Sequence, residues 1–327
     1  MVAAPGLHPE TVPFDDRMLD VGNGHRLHVQ QVGRADGVPA IYLHGGPGSG
    51  CQPLHGRLFD PGHFRVVLLD QRGAGASTPA GALMANTTTD LLNDLERVRA
   101  ALGIDRWLVA GGSWGALLAI AYAQMCPQRV LGLVLRAVFL GAREEVEWAF
   151  LQGPQTFYPE LWRSFVGALP AADRARPLAA YGLRLEGDDP HIRHAAACIW
   201  HDYEMAFSRL APPSLSLPAG FDDPTLAGRP TPRTPAVEWH YFKNDCFLAE
   251  NALLNGAGAL AGIPGVIVQG RYDLLCPPRT AHALAESWRE AELRLIPASG
   301  HSLSEPAIMQ GVLEAIDRLG RGTGPTR

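Results

Sequence analysis

The 327-residue chain predicts an α/β fold: a mostly parallel central sheet with helices on both faces, and a mainly helical cap inserted after a core strand. Three observations carry this expectation. Short apolar runs alternate with helix-periodic stretches through both ends of the sequence, the pattern of strands joined by crossover helices. The runs are continuously apolar, as strands buried on both faces require. From about Gly141 to Asp245 the alternation gives way to a Trp-, Tyr- and Phe-rich, helix-like stretch, broken by the proline-rich Pro212 to Pro235. The α/β core is therefore expected at 1–140 and 246–327. Residues 141–245 are expected to cap the carboxyl edge of the sheet, where ligands bind in open α/β folds.

Arg17 to Val21 and His25 to Val29 flank Gly22-Asn23-Gly24, whose Asn-Gly pair favours the positive φ of a hairpin turn. Central strands are expected at Ala40 to Leu43, Phe64 to Leu69, Trp107 to Ala110 and Val130 to Val138. Between the second and third, Leu91, Leu92, Leu95, Val98 and Leu102 recur at helical spacing, with threonines before them as caps and Gly103 after them as a stop. Gly265 to Gln269 and Leu293 to Ile296 resume the strand pattern, with helices at Arg279 to Glu290 and Ile308 to Leu319.

Gly111-Gly112-Ser113-Trp114-Gly115 lies between the strand Trp107 to Ala110 and the helix-like Ala116 to Met125. A serine on a sharp strand-to-helix turn flanked by small residues is how α/β-hydrolases present a nucleophile, and there the acid and the histidine follow it in the chain. Asp273, in Gly270-Arg271-Tyr272-Asp273, and His301, after Pro297-Ala298-Ser299-Gly300, each follow a predicted strand and so open on the same edge as Ser113. A serine hydroxyl needs an oriented base to take its proton, and these three supply nucleophile, acid and base. An oxyanion hole is expected from the Trp114 amide and that of Gly45 or Gly46, in His44-Gly45-Gly46-Pro47-Gly48. The charged Asp70-Gln71-Arg72-Gly73 segment is expected to brace these loops. An aspartate nucleophile, as an epoxide hydrolase or dehalogenase would need, is excluded by Ser113.

A net charge of −5 gives no basic footprint, so nucleic acid is excluded as a partner. No apolar stretch is long enough for a membrane span, and Met1 to Gly6 carries no secretory signal, so a cytoplasmic protein is expected. Five scattered cysteines form neither a disulfide framework nor a zinc ribbon. His191, His194, Cys198 and His201 lie at helical spacing but read as a packed cap helix, so no metal or cofactor is expected. The oligomeric state stays open, a monomer being sufficient.

With these residues in hand, the sequence resembles the prolyl aminopeptidase, or proline iminopeptidase, family from about Phe14 to Leu319. The resemblance is carried by His44-Gly45-Gly46-Pro47-Gly48, Asp70-Gln71-Arg72-Gly73, Asn86-Thr87-Thr88, Gly111 to Gly115, Ile263 to Asp273 and Gly300-His301-Ser302. It implies removal of N-terminal proline from small peptides or aminoacyl substrates with a free N-terminus. It further implies that Glu204 and Glu238 bind the amino group and that Phe139 and Phe242 line the proline pocket. The chain departs from the family pattern at Phe150, Gln152, Tyr203 and Trp239, all in the cap. A broader amide, ester or small-peptide hydrolase is the alternative, and a non-catalytic binding protein on the same scaffold a more distant one.

Overall fold

The computed structural model describes residues 6–212 and 215–322. Eight strands, β1 (Asp15–Gly22), β2 (His25–Gly33), β3 (Val38–Leu43), β4 (Phe64–Leu69), β5 (Trp107–Ser113), β6 (Val130–Val138), β7 (Gly265–Gly270) and β8 (Ala291–Ile296), form one sheet. Its order is β1-β2-β4-β3-β5-β6-β7-β8. The β1–β2 hairpin turns through Gly22, Asn23 and Gly24, all at positive φ, and β2 runs antiparallel to β4. From β4 to β8 every pairing is parallel.

Alternate residues along each strand supply two different cores, which is why the sequence shows unbroken apolar runs. Ile41, Leu43, Val67, Leu69, Val109, Leu133 and Ile267 face the core containing the Thr88–Ala101 and Trp114–Met125 helices. Ala40, Tyr42, Val66, Leu68, Leu108, Val134 and Val268 face the opposite core, closed by the Pro306–Gly322 helix. Thr87 caps the Thr88–Ala101 helix in a reciprocal box with Asp90.

Between β6 and β7 the chain forms helices at Arg143–Glu147, Pro159–Gly167, Pro177–Glu186, Pro190–Phe207 and Thr234–Phe242. Their centre is aromatic: Phe165 stacks between Tyr181 and Tyr203, at 4.3 and 3.9 Å between ring centroids. Both buried tyrosine hydroxyls donate to backbone carbonyls, of Phe165 (2.8 Å) and Phe150 (2.9 Å), so neither is left unsatisfied. The proline-rich stretch is tied to the long helix by Arg229 on Asp202 and by Thr231 on His194; Pro213 and Ser214 lie outside the described residues.

The boundary nearest Ser113 differs from expectation. β5 runs through both glycines to Ser113 and the next helix starts at Trp114, two residues before the predicted Ala116. The reversal is made by a single residue, Ser113, at φ 57° and ψ −122°.

Candidate active site

Holding a serine at positive φ costs about 1–3 kcal/mol, and the surroundings must enforce it. Here the enforcement is close packing: a Cβ on Gly115 would collide with the carbonyl oxygen of Leu43, so only glycine lets the helix start this near the end of β3. Trp114, the first residue of that helix, has no carbonyl one turn back for its N–H, leaving the donor available beside Ser113. Gly45 lies against the elbow, where a Cβ would meet the Gly112 carbonyl at 3.2 Å and Ser113 Cβ at 3.8 Å. Gly46, at φ 108°, lines the space on the same side.

Asp273 and His301 come together as the sequence predicts. His301 Nδ1 lies 3.0 Å from both carboxylate oxygens of Asp273. The carboxylate is buried and fixed by the N–H groups of Leu275 (3.0 Å) and Cys276 (2.8 Å) and by Gln269 Nε2 (3.2 Å). Ser113 and His301 line one cavity of about 260 Å³ without being hydrogen-bonded to each other. Catalytic bonds of this kind often tighten only around substrate. Ser113 Oγ has Cys276 Sγ at 4.0 Å. Burial pushes the Cys276 thiol well up, so it stays protonated and is no competing nucleophile.

The bracing expected of the Asp70 segment is present. Asp70 accepts from the N–H groups of Cys51 (2.6 Å) and Ala76 (2.9 Å). Gln71 bridges the His44 carbonyl and the Trp114 indole, both at 2.9 Å. Arg72 is buried in a two-point pair with Asp94 at 2.6 and 2.7 Å.

Glu204, on the Pro190–Phe207 helix, and Glu238, on the Thr234–Phe242 helix, enter the same cavity and hydrogen-bond each other. Trp200 Nε1 donates to Glu238 Oε2 at 2.7 Å. Burial, then the neighbouring Glu204 charge, pushes Glu238 well above the ordinary carboxylate range. Burial also raises Glu204, while the hydrogen bond from Glu238 opposes the rise. The pair thus favours one shared proton and one negative charge.

A small pocket of about 30 Å³ opens beside Ser113 between Phe139, Ala149, Phe150, Phe242, Leu275 and Cys276. Phe242 packs edge-on against Phe139 and Phe150, at 6.4 and 5.7 Å. Glu145, which sequence reading passed over, borders this pocket and is pushed up to about 7 by burial. Sequence reading also passed over Arg136, which lines the main cavity. The available signal for it was a lone charge inside the apolar run of β6. A larger cavity of about 550 Å³ lies behind Trp200, Trp239 and Phe242 and has none of the triad in its wall.

The cap histidines do not converge: His194 bonds Thr231 and the Leu226 carbonyl, whereas His201 faces the catalytic cavity. Among the described residues no group of three or more His, Cys, Asp or Glu could hold a metal ion, and no helix is long and apolar enough to cross a membrane.

Comparison with known proteins agrees with this geometry. Residues 39–307 match the family model described as the alpha/beta hydrolase fold. A proline iminopeptidase of Xylella fastidiosa is 42% identical over 316 residues, spanning 95% of this chain and 98% of that protein. One from Arabidopsis thaliana is 41% identical, spanning 96% of this chain and 82% of that protein. Among solved structures, a proline iminopeptidase from Mycobacterium smegmatis shares the fold at TM-score 0.58 and 18% identity, covering 94% of this chain and 99% of its own. Catalytic architecture and near full-length similarity agree, and the chain belongs to the proline iminopeptidase family of α/β hydrolases.

Proposed function

We propose that this protein is a serine aminopeptidase that releases N-terminal proline from peptides through an acyl-enzyme at Ser113. The observation that carries the reading is a single cavity whose wall holds Ser113 and His301 from the core and Glu204 and Glu238 from the cap. Residues 141–245 act as the substrate-selecting cap. The one negative charge of the glutamate pair receives the substrate ammonium, and an acylated N-terminus, carrying no charge, leaves that carboxylate unpaired. Phe139 and Phe242 wall the proline ring.

His301 takes the Ser113 proton as the hydroxyl attacks the prolyl carbonyl, and Asp273 holds the imidazole and stabilises its charge. The Trp114 amide with that of Gly45 or Gly46 stabilises the tetrahedral oxyanion; loss of one such donor typically costs about 3 kcal/mol in the barrier. His301 then protonates the leaving amine, and water, activated by the same base, releases proline. Neither metal nor cofactor takes part, and activity is expected to survive chelation. Cytoplasmic residence is supported by five unpaired cysteines.

The test is a panel of prolyl, alanyl and N-acetylprolyl p-nitroanilides. Rapid cleavage of the prolyl compound, loss of the acetylated one, and an inert but folded Ser113→Ala variant are expected. Turnover by that variant would refute the mechanism, and preference for a non-prolyl substrate would favour a broader amide or ester hydrolase.

A further inference from the structure

Arg136 is a cation in the catalytic cavity that the mechanism above does not use. It projects from β6, where it is paired in register with Gly112, and its guanidinium packs directly against Gly112, occupying the space that a Cβ there would take. Nη1 donates to the His301 carbonyl. Nε is buried with no acceptor, and among the described residues no carboxylate pairs with the group. The contrast is Arg72, equally necessary to its loop but met by both oxygens of Asp94.

The neighbouring side chains of the wall bring no carboxylate within ion-pair distance either, the Glu204–Glu238 pair of the same cavity included. Tyr42 and His55, stacked at 4.2 Å, line the same part of the cavity. Burial lowers His55 to about 3 and raises Tyr42 to about 12, so both are neutral at pH 7. A guanidinium carries five N–H donors in a fork suited to a carboxylate, and this one donates a hydrogen bond to the protein only at the His301 carbonyl among the described residues. Leaving such a charge without a counter-ion in a partly dry site costs several kcal/mol.

The guanidinium touches the residue before the nucleophile and the carbonyl of the base, so it stands within one residue of both groups that handle the scissile bond. In a dipeptide the leaving amine carries its own carboxylate only one carbon further on. In a longer peptide that position is a neutral amide.

We propose that Arg136 receives the C-terminal carboxylate of a dipeptide substrate, making this enzyme prefer Pro-X dipeptides with a free carboxyl end. The cavity of about 260 Å³, room for about nine waters, suits a substrate of that length. The assignment rests on the prolyl aminopeptidase reading above.

The test compares kcat/KM for Pro-Gly, Pro-Gly-NH2 and prolyl p-nitroanilide in wild-type enzyme and in Arg136→Gln. Wild type is expected to favour Pro-Gly over its amide at least tenfold, by a ratio that shrinks between 0.05 and 0.5 M NaCl. In Arg136→Gln the ratio should fall to within twofold, chiefly through KM for Pro-Gly, while the amide changes less than threefold. Equal losses on acid and amide would mean that Arg136 only positions His301, and would overturn the proposal. If the variant does not fold, the wild-type ratio decides alone, and a ratio within twofold overturns the proposal. Cleavage of none of the three substrates by wild type would overturn the parent activity and this assignment together.

Discussion

Replacing Glu204 with glutamine should damage this enzyme far more than the same change at Glu238, although both carboxyls line the cavity in which we propose that the substrate amine is received. The two are in contact inside a cavity wall, where a second negative charge is opposed by burial and by the first. Burial and the neighbouring charge both push Glu238 up, whereas the hydrogen bond from Glu238 opposes the rise at Glu204, so the shared proton is expected to rest on Glu238 and the charge on Glu204. Glu204→Gln removes the one anion that meets the ammonium. Truncating one member of a buried charge pair costs about 2–5 kcal/mol, or roughly 30- to 5000-fold in kcat/KM. Glu204 is half-buried, which places the loss toward the lower end. Glu238→Gln exchanges a neutral acid for a neutral amide that can still accept from Trp200 and donate to Glu204, a change of about 0.5–1.5 kcal/mol, roughly tenfold at most.

The assays are kcat/KM for prolyl p-nitroanilide from pH 6 to 9 and thermal unfolding from pH 4 to 7. Because Glu238 titrates higher in the folded chain than its ordinary value of 4.5, the unfolded chain loses that proton first as pH rises. The stability linked to this group is therefore complete below about pH 4 and declines as pH rises toward the folded value. Glu238→Gln abolishes the decline, so its Tm relative to wild type should climb between pH 4 and 7. Equal and large losses in kcat/KM for the two variants would refute the single-charge reasoning, as would a Tm difference that does not change with pH.

Ser113→Gly should abolish turnover and fluorophosphonate labelling yet stabilise the fold by about 1 kcal/mol, since relief of the positive φ exceeds the entropy cost of glycine; urea titration reads this. Asp94→Asn leaves the buried Arg72 with only the more exposed Asp90, at 3.8 Å, as counter-charge and should cost about 3 kcal/mol in the same titration. Cys276, whose thiol is pushed well up by burial, should react slowly with iodoacetamide at pH 8, followed by peptide mass spectrometry; thiolate-like reactivity there would contradict the buried, protonated state.

The residues legible in the sequence are those whose role is fixed within a few positions. Ser113, Asp273 and His301 each sit just past a strand that the apolar runs mark, and a parallel sheet sends all such positions to one edge. The helix start at Trp114 was not legible, because the single-residue reversal at Ser113 depends on the Leu43 carbonyl, 70 positions away in a different strand. Nor is the Glu204–Glu238 pair visible locally: each is an ordinary helical glutamate until two cap helices pack, and only the family resemblance singled them out. The helical spacing of His191, His194, Cys198 and His201 was read as a packed helix and not as a ligand set, and on that helix His194 turns to Thr231 while His201 faces the cavity.

Arg136 was missed for the opposite reason. A charge inside a buried strand is visible in sequence, but whether it is neutralised depends on neighbours from three other segments. Tyr42, His55 and His301 are what make it uncompensated. Its consequence appears only when the whole cavity is considered. The glutamate pair contributes one negative charge to the cavity wall, and Arg136, beside Gly112 on β6, contributes one positive charge to the same wall. A cavity with this polarity attracts a molecule bearing an ammonium at one end and a carboxylate at the other, and orients it with the bond between them over the serine. A chain blocked at its amino end lacks the first attraction, and one amidated or extended at its carboxyl end lacks the second. On the proposal above the two losses act through separate groups at opposite ends of the substrate, so they should combine additively: Glu204→Gln and Arg136→Gln together should cost close to the sum of their separate effects on Pro-Gly. Marked non-additivity would mean that the two charges act on one another rather than on the two ends of the substrate.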